Sequence, residues 1–396
     1  MTKTILISGA GIAGPTLAYW LKRADFVPTL LDQAPALRSG GYVIDFWGLG
    51  YDIAERMDLV SAILREGYRI REMRIVDAAG RHISGVGTKV FVELTGGRYV
   101  TIGRSALSQL LFDTVKDGTE TIFGDEIVAL DERHSHVAVQ FKSGGERHFD
   151  LVIGADGLHS AVRRLAFGPQ ERFEKQLGYV VAVFEADGYR PRNVDVYVTY
   201  SEPGRMVGRV SLRDDKTLIL LVFADDSDTP MHDLATQKAL LRAQFGGSGW
   251  ECPHILAALD AAGELYVDRV SQIRMPRWSR GRIALVGDAA YCVSLVAGQG
   301  SALAMTGAYI LAGEFAKAEG RHDEAFASYE KILRDFIGRK QQGAERFVSA
   351  FAPKTRLGLW FRNLVIKTAA IPGVARLTFG RDIVDSLHLP DYHWPC

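Results

Sequence analysis

One stretch near the start of the chain decides the fold: Ile5-Leu6-Ile7-Ser8-Gly9-Ala10-Gly11-Ile12-Ala13-Gly14. Its apolar half predicts a short buried strand, and the residues after the glycines continue as a helix through Leu17 to Lys22. A second apolar strand, Val27 to Leu31, ends at Asp32. Strand, glycine-rich turn, helix and strand within about thirty residues predict a βαβ unit.

The glycine spacing, GxGxxG, suits a dinucleotide. Gly9 makes the turn, Gly11 lets the backbone approach a pyrophosphate, and Gly14 allows the helix to pack closely on the strand. The helix N-terminus, with Ile12 and Ala13 in the turn, faces the phosphate charge. The aspartate that ends the second strand follows the last glycine by 18 residues and is placed to accept hydrogen bonds from a ribose diol. The pattern predicts dinucleotide binding but does not distinguish NAD from FAD.

Composition mainly excludes other classes of protein. The 396 residues include 47 basic and 47 acidic side chains, so the formal net charge is zero, and the pI is near 7.2. Nothing in this balance favours nucleic acid, whose binding relies on clustered excess Lys and Arg. At roughly 150 residues per domain the length predicts two or three domains. The 47% apolar and 24% charged fractions are those of an ordinary globular protein.

Cysteine usage and hydropathy bear on the compartment. The three cysteines, Cys252, Cys292 and Cys396, are odd in number and widely spaced, so they predict neither a disulfide framework nor a zinc site. No apolar run reaches the roughly 18 residues of a spanning helix, and the N-terminal apolar run is too short for a signal peptide. We expect a cytoplasmic protein without a structural metal and without membrane contact.

The middle of the chain has a different pattern. From Val90 to Val100, and again from Tyr179 to Phe223, extended runs alternate with turn signals, which predicts an antiparallel sheet. A third apolar strand, Ile283 to Val286, then runs into Gly287 and Asp288. The nucleotide fold is therefore predicted to be interrupted by a β-rich insertion.

The C-terminal part reads as helical from Ala302 to about Phe351, followed by a basic stretch from Pro353 to Arg381 that has six basic residues and no acidic one. A basic amphipathic helix can touch a membrane surface. The favoured interpretation is a C-terminal helix that packs its apolar face on the body of the protein. The residues of that face are Leu357, Trp360, Phe361 and Leu364.

Two later segments separate FAD from NAD. Asp150 to Arg164 contains Asp156-Gly157, and Gly281 to Ala290 contains Gly287-Asp288; the loop Ala297-Gly298-Gln299-Gly300 follows. In this order the sequence resembles the group A flavin monooxygenases, which are similar to p-hydroxybenzoate hydroxylase, and especially their tetracycline-oxidising and polyketide-modifying relatives. The resemblance covers residues 1 to about 340.

The resemblance implies an α/β fold, in which a Rossmann-like FAD-binding domain of the GR2 type carries an inserted antiparallel-sheet substrate domain and a C-terminal helix. The FAD-binding domain would be discontinuous, over residues 1–67, 101–175 and 271–340. The substrate domain would span 68–100 and 176–270, and a C-terminal helical segment 341–396.

The resemblance also implies roles for residues outside the first turn. Arg38 would close over the dinucleotide and Arg104 would contact the flavin. Ile127 would lie beside the adenine. Asp156 belongs to a motif linked to both FAD and NAD(P)H, and Asp288 would hydrogen-bond the ribityl chain. The segment from Gly298 to Ser301, with Gly300 between them, would aim backbone N–H groups at the N1–C2 edge of the flavin, where the reduced ring is anionic.

The implied reaction is an FAD-dependent monooxygenation. NADPH or NADH would reduce the flavin, O2 would add to give a C4a-hydroperoxide, and one oxygen atom would be transferred to an aromatic or polycyclic small molecule. The flavin carries this chemistry, so we assign no catalytic side chain; strand alternation suggests a substrate-lining set of Glu185, Tyr197 and Arg209. We expect a monomer or weak dimer.

The alternatives are a halogenase-like flavin oxidoreductase and a flavin-binding protein without hydroxylase activity. The tryptophan-rich halogenase motif has no match around Trp250. The second alternative stays open because relatives carry prolines and an asparagine where this chain has Ser294, Leu295 and Ala302.

Overall fold

The computed structural model describes residues 3–38, 40, 42–227, 231, 233–294, 298–369 and 385–394. The strands, in chain order, are β1 (Thr4–Ser8), β2 (Val27–Asp32), β3 (Val43–Trp47), β4 (Glu72–Val76), β5 (His82–Gly87), β6 (Tyr99–Gly103), β7 (Glu120–Phe123), β8 (Ile127–Glu132), β9 (Val137–Phe141), β10 (Glu146–Phe149), β11 (Leu151–Gly154), β12 (Glu174–Asp187), β13 (Val196–Glu202), β14 (Arg205–Ser211), β15 (Lys216–Ala224), β16 (Tyr266–Ile273), β17 (Ser279–Arg280) and β18 (Ile283–Leu285).

The helices, in chain order, are α1 (Ala13–Arg23), α2 (Leu49–Arg56), α3 (Val60–Glu66), α4 (Lys89–Leu94), α5 (Arg104–Asp113), α6 (Ala161–Ala166), α7 (Leu234–Phe245), α8 (Cys252–Ala261), α9 (Asp288–Tyr291), α10 (Gly300–Lys317), α11 (His322–Phe351) and α12 (Arg356–Ala369). A single 3₁₀ turn, Gln170–Arg172, follows α6. The predicted α/β fold class is confirmed.

The nucleotide fold is a six-stranded sheet in the order β17-β18-β11-β1-β2-β7. All neighbours are parallel except the edge pair β17–β18. Its central strands are apolar on both faces, as parallel strands covered by helices on both sides must be. Helix α10, almost entirely buried, packs against α1 and α11. The βαβ unit and the third apolar strand therefore lie where the sequence predicted them.

The second layer is a seven-stranded sheet in the order β16-β12-β15-β14-β13-β4-β5, antiparallel throughout except for the pair β13–β4. On its outer face Val180, Ala182 and Phe184 pack under α7 and α8. On its inner face Tyr179, Val181 and Val183 pack toward the rest of the chain. The predicted antiparallel sheet is confirmed for β12 to β15, while the division into domains stays a prediction.

The interpretation of Val90 to Val100 as extended is wrong in its first half. Residues Lys89–Leu94 form α4, and Gly96 and Gly97, at φ +61° and +85°, end it before β6 begins at Tyr99. The ring of Phe91 stacks on Tyr99 with centroids 6.0 Å apart. Apolar residues four apart fit a helix turn as well as a strand, and the contact with β6 selects the helix.

The prediction for the C-terminus is wrong in two respects. Helix α12 forms, but its predicted packing face is exposed: Leu357 by 74%, Trp360 by 62%, Phe361 by 61% and Leu364 by 42%. It docks through its other side, where Arg362 donates to Ser201 Oγ at 3.0 Å.

Residues 385–394 are not helical but run as an extended strap over the first layer. In the strap Tyr392 donates to Glu314 at 2.8 Å, and Trp394 lies 4.7 Å from Trp20 between ring centroids. The basic residues Arg376 and Arg381 fall outside the described residues.

Candidate active site

The glycine turn after β1 is shaped by contacts within the protein at two of its three glycines. Gly9 has φ +110°, and a Cβ there would overlap the carbonyl oxygen of Ala155. A Cβ on Gly14 would overlap the carbonyl oxygen of Gly9. Since backbone atoms cannot swing aside as side chains do, both positions require glycine for the packing of β1, α1 and the end of β11.

Gly11 is different, because its nearest neighbour on that side is Arg104 Nη2, 3.8 Å from the place of a Cβ. The protein itself has no need of a glycine there. Helix α1 begins beside it with no capping side chain at Ile12 and no acidic residue in its first turn. Open space and free N–H groups at a helix N-terminus suit an anion such as a pyrophosphate.

Asp32, at the end of β2, is held by backbone donors. Ala10 N–H donates to Oδ2 at 2.8 Å, and Ala34 N–H donates to Oδ1 at 2.9 Å. Each carboxylate oxygen keeps further lone-pair capacity, enough for two ribose hydroxyls. Ile127 is buried at the start of β8, and Asp125 N–H, two residues earlier, donates to the Asp32 carbonyl at 3.3 Å. The structure thus brings the backbone around Ile127 close to Asp32.

Arg104 and Asp288 come from distant parts of the chain, and their opposite charges interact. Arg104 begins α5; its N–H donates to the Tyr42 carbonyl at 3.0 Å and its guanidinium lies 5.9 Å from the Tyr42 ring centroid. Asp288 begins α9, where burial raises the pKa of its carboxyl and the positive charge of Arg104 opposes that rise. The thiol of Cys292 is a hydrogen-bond partner of this carboxyl. Arg104 therefore lies close to both Gly11 and Asp288.

Asp156 has one carboxylate oxygen that none of the described residues binds. Val162 N–H donates to Oδ2 at 3.1 Å, whereas Oδ1 is buried and has no hydrogen-bond partner in the described part of the chain. Burial raises the pKa of this carboxyl. An unsatisfied buried oxygen costs on the order of 1–3 kcal/mol, so a donor from a bound molecule would be stabilising here. The chemistry of this position fits a hydroxyl-rich cofactor.

The start of α10 lies beside Asp288. Gly298 has φ +68° and open space where a Cβ would be, and Gly300 lies so that a Cβ would be 3.7 Å from Asp288 Oδ1. Ser301 is buried in the first turn, which has no acidic residue and no capping side chain at Gln299. A planar group carrying negative charge can approach these N–H groups without meeting a carboxylate from the helix itself.

Arg38 is exposed on the loop after β2. Gly40, two residues later, lies 3.4 Å from Glu185 Oε1, measured from the place of a Cβ. The loop therefore reaches the inner face of the seven-stranded sheet, while the contact predicted for Arg38 itself stays a prediction.

The three predicted substrate-lining residues divide between the two faces of that sheet. Glu185 and Tyr197 lie on the inner face, with Glu185 bound to Lys216 Nζ at 2.9 Å and Tyr197 placed over Gly208. Arg209 lies on the outer face, under the helices, where it pairs with Glu251 at 2.7 Å and is 3% exposed. The assignment of Arg209 to the substrate cleft is wrong, because strand alternation showed that Arg209 and Met206 face opposite ways but not which way is inward.

The profile of the family described as FAD binding domain matches residues 2–342 of this chain. A flavin-dependent monooxygenase from an unknown prokaryotic organism is 37% identical over 344 residues, which cover 86% of this chain and 88% of that protein. Another, from Legionella longbeachae, is 34% identical over 349 residues, 85% and 87% of the two chains. The chain belongs to the FAD-dependent monooxygenases. The predicted membership of group A is confirmed.

Comparison with solved structures supports this family assignment. The monooxygenase superposes on the crystal structure of tetracycline destructase Tet(55) with a TM-score of 0.85 and 33% identity, over 99% of both chains. HpxO from Klebsiella pneumoniae, crystallised with FAD and uric acid, is 23% identical with a TM-score of 0.79 over 96% of both chains, and shares the fold. Among the residues described here, none of the helices is long and apolar enough to cross a membrane.

Two residues that the sequence did not single out connect elements around the site. Arg163 is fully buried and donates to the Ala289 carbonyl at 2.9 Å and to Gln170 Oε1 at 2.9 Å, which ties α6 to α9. His159 pairs with Asp268 of β16 at 2.8 Å and so links the two layers. Both follow the Asp156-Gly157 motif within seven residues, but Ala289 and Asp268, which they bind, are more than a hundred residues away in sequence.

Ser294, where the resemblance predicts a proline, has φ +149°. A proline ring holds φ near −65°, so this backbone conformation is closed to proline. The path of the chain before the Gly298 loop therefore differs from a proline-containing one. Leu295 lies outside the described residues.

Proposed function

We propose that the monooxygenase hydroxylates an aromatic or polycyclic small molecule, with NADPH or NADH as the electron donor and O2 as the oxygen source. The observation that carries this is that Gly11, Arg104, Asp288 and Gly300 lie together at one edge of the parallel sheet, with Asp156 beside Gly9. That edge faces the second layer, since Tyr42 lies 6.4 Å from Tyr266 of β16 between ring centroids.

The FAD would be held by polar groups that have unused hydrogen-bonding capacity. The turn from Gly9 to Gly14 and the start of α1 would bind the pyrophosphate, and Asp32 would bind the adenosine ribose. Asp288 would accept from the ribityl hydroxyls, and a donor from the bound dinucleotide would satisfy Asp156 Oδ1. When bound, the flavin would supply the redox chemistry by which NAD(P)H, a proton, O2 and the substrate yield NAD(P)⁺, water and a hydroxylated product.

The protein would supply orientation and a dry site. Arg104 and the N–H groups from Gly298 to Ser301 would hold negative charge on the flavin, and Tyr42 and Tyr266 would separate this edge from solvent. The inner face of the seven-stranded sheet carries Val181, Val183 and other apolar side chains, which would exclude water from the reacting atoms.

A polycyclic substrate is supported by the 33% identity to a tetracycline destructase over nearly the whole of both chains. The nicotinamide would bind transiently, since the chain has a single GxGxxG pattern followed by the strand and aspartate of a dinucleotide site.

The test is to reconstitute the protein with FAD, add NADPH or NADH anaerobically, and follow flavin absorbance near 450 nm with and without a panel of phenols and polyketides. We expect at least one compound to accelerate bleaching and to yield, after O2 is admitted, a product heavier by one oxygen atom. A flavin that NAD(P)H reduces at the same rate with every compound, with no oxygenated product, would refute the proposal and favour a flavoprotein without hydroxylase activity.

A further inference from the structure

The C-terminal strap supplies the cap of helix α2. Asp385 Oδ2 accepts from Leu49 N–H, the first N–H group of the helix, at 2.9 Å. Gly48, the residue before α2, has φ +65° and no side chain of its own to cap the helix, and a Cβ there would overlap Asp385 Oδ2. An orphan N–H group of α2 is therefore satisfied by a carboxylate 336 residues further along the chain.

The same carboxylate is held in place by a shielded ion pair. Asp385 Oδ1 lies 2.7 Å from Lys340 Nζ of α11, and the two side chains are 14% and 12% exposed. Asp391, further along the strap, pairs with Arg56 at the other end of α2 at 2.8 Å, but it is 91% exposed. Water screens an exposed pair, so of these two carboxylates it is Asp385 that fixes α2.

Helix α2 in turn lies directly against the start of α10. A Cβ on Gly50 would be 2.7 Å from both Cα and Cβ of Ala302, which is closer than carbon atoms can approach. No flexible side chain therefore lies between the two helices at this point to absorb a shift. A displacement of α2 is passed on to the first turn of α10.

That turn belongs to the proposed flavin site. It begins at Gly300, where a Cβ would be 3.7 Å from Asp288 Oδ1. Asp385 also lines one small cavity together with Gln299, the residue directly before Gly300. The contacts of Asp385 thus lead through α2 to the N–H groups that start α10.

We propose that Asp385 is a positioning residue for the flavin, acting through α2 on the N–H groups at the start of α10. The inference rests on the proposed function, since it takes these N–H groups to face the N1–C2 edge of the ring. Donors at that edge favour the anionic reduced flavin over the neutral oxidised one. Without the cap, α2 and the start of α10 move away from this edge, so the reduced flavin loses more binding than the oxidised one and the midpoint potential falls.

The size of the shift follows from the cap. Replacing a capping oxygen by a methyl group changes an equilibrium constant by about fivefold. When this effect falls on the reduced flavin alone, the midpoint potential decreases by about 20 mV for the two-electron couple.

The experiment measures the midpoint potential of the FAD-loaded protein by anaerobic reductive titration against a reference dye, and the stability of the same variants by urea unfolding. Asp385→Ala loses both the cap and the ion pair, whereas Asp385→Asn loses the ion pair but keeps an oxygen that can accept from Leu49 N–H. We expect both variants to be less stable than the wild type, but only Asp385→Ala to have a lower potential. A merely structural role would leave the potential unchanged in both.

The matched control is Asp391→Asn, which removes the same unit of charge from the same strap and should change neither quantity. Gly50→Ala tests the middle of the route, because its Cβ would force α2 and α10 apart while the contacts of Asp385 stay in place. It should lower the potential as well, and it carries the test if Asp385→Ala does not take up FAD.

A wild-type potential in both Asp385→Ala and Gly50→Ala, or an equal fall in Asp385→Ala and Asp385→Asn, would overturn the proposal. No substrate is present in these titrations, so they are independent of hydroxylation. An unchanged potential in a protein that hydroxylates a compound refutes the positioning role alone, and a shifted potential without any oxygenated product refutes the hydroxylase alone.

Discussion

Alanine substitutions at Gly14 and at Gly11 should separate two reasons for glycine in this turn: packing within the protein and space for the pyrophosphate. At Gly14 the added Cβ overlaps the carbonyl oxygen of Gly9, so α1 must move away from β1. At Gly11 the added Cβ has Arg104 Nη2 at 3.8 Å as its nearest neighbour, and the backbone there is outside the left-handed region. The first change disturbs the protein itself, and the second enters space that we assign to the pyrophosphate.

The magnitudes follow from these contacts. Overpacking against fixed backbone costs about 1–3 kcal/mol, so Gly14→Ala should lower the stability of the FAD-free protein by at least about 2 kcal/mol. Gly11→Ala should leave it within about 0.5 kcal/mol of the wild type, because no contact is broken. Gly11→Ala should instead weaken FAD binding by roughly tenfold or more, because its methyl group would press against the pyrophosphate.

The assay is urea unfolding of the FAD-free proteins, followed by FAD titration monitored by quenching of flavin fluorescence. Gly9→Ala is the companion control, since it should resemble Gly14→Ala in losing stability. A Gly11→Ala protein that unfolds as readily as Gly14→Ala, or that binds FAD with wild-type affinity, would refute the division of roles.

Three further predictions concern charged groups. Arg104→Met should weaken FAD binding about tenfold, as loss of one charge-assisted hydrogen bond does, and isothermal titration would measure this. Arg209→Ala should destabilise the protein by about 3–5 kcal/mol, because Glu251 is left buried without a cation and keeps only the hydrogen bond from Tyr189. A double variant with Glu251→Gln should recover stability in a thermal melt, and a failure to recover would show that Arg209 acts elsewhere. His159 has a pKa raised above 6.5 by its hydrogen bond to Asp268, so the pair contributes stability that is fully present below pH 6.5 and lost as pH rises through the raised pKa. Because the ring is 61% exposed, His159→Gln should cost less than about 1 kcal/mol at pH 6 and progressively less at higher pH, which unfolding titrations at several pH values would detect.

The parts of the site that could be read from the sequence are those defined by short local patterns. The turn from Gly9 to Gly14 needs particular backbone geometry, and glycine alone supplies it, so the pattern is visible without tertiary information. Asp32 and Asp288 were found for a related reason, since each directly follows or closely follows an apolar strand, and the carboxyl ends of parallel strands meet at one edge.

The errors have a common physical cause. The face of Leu357 and Trp360 was expected to be buried because apolar spacing indicates amphipathicity, yet spacing does not say which side of a helix meets the body. Arg209 was placed in the cleft for the same reason, because both faces of its sheet are covered and a period of two cannot rank them. The extended strap from 385 to 394 depends on aromatic contacts with α1 and α10, which are remote in sequence.

By itself the sequence determined that this protein has a dinucleotide fold with a sheet inserted in it, because strand, turn and helix propensities act over a few neighbouring residues. The tertiary structure decided what that fold can recognise. Among the described residues it left Asp156 Oδ1 without a hydrogen-bond partner, placed Arg104 near Asp288, and paired Asp385 with Lys340. Charge compensation depends on distances between residues far apart along the chain, and those distances exist only once the layers have packed.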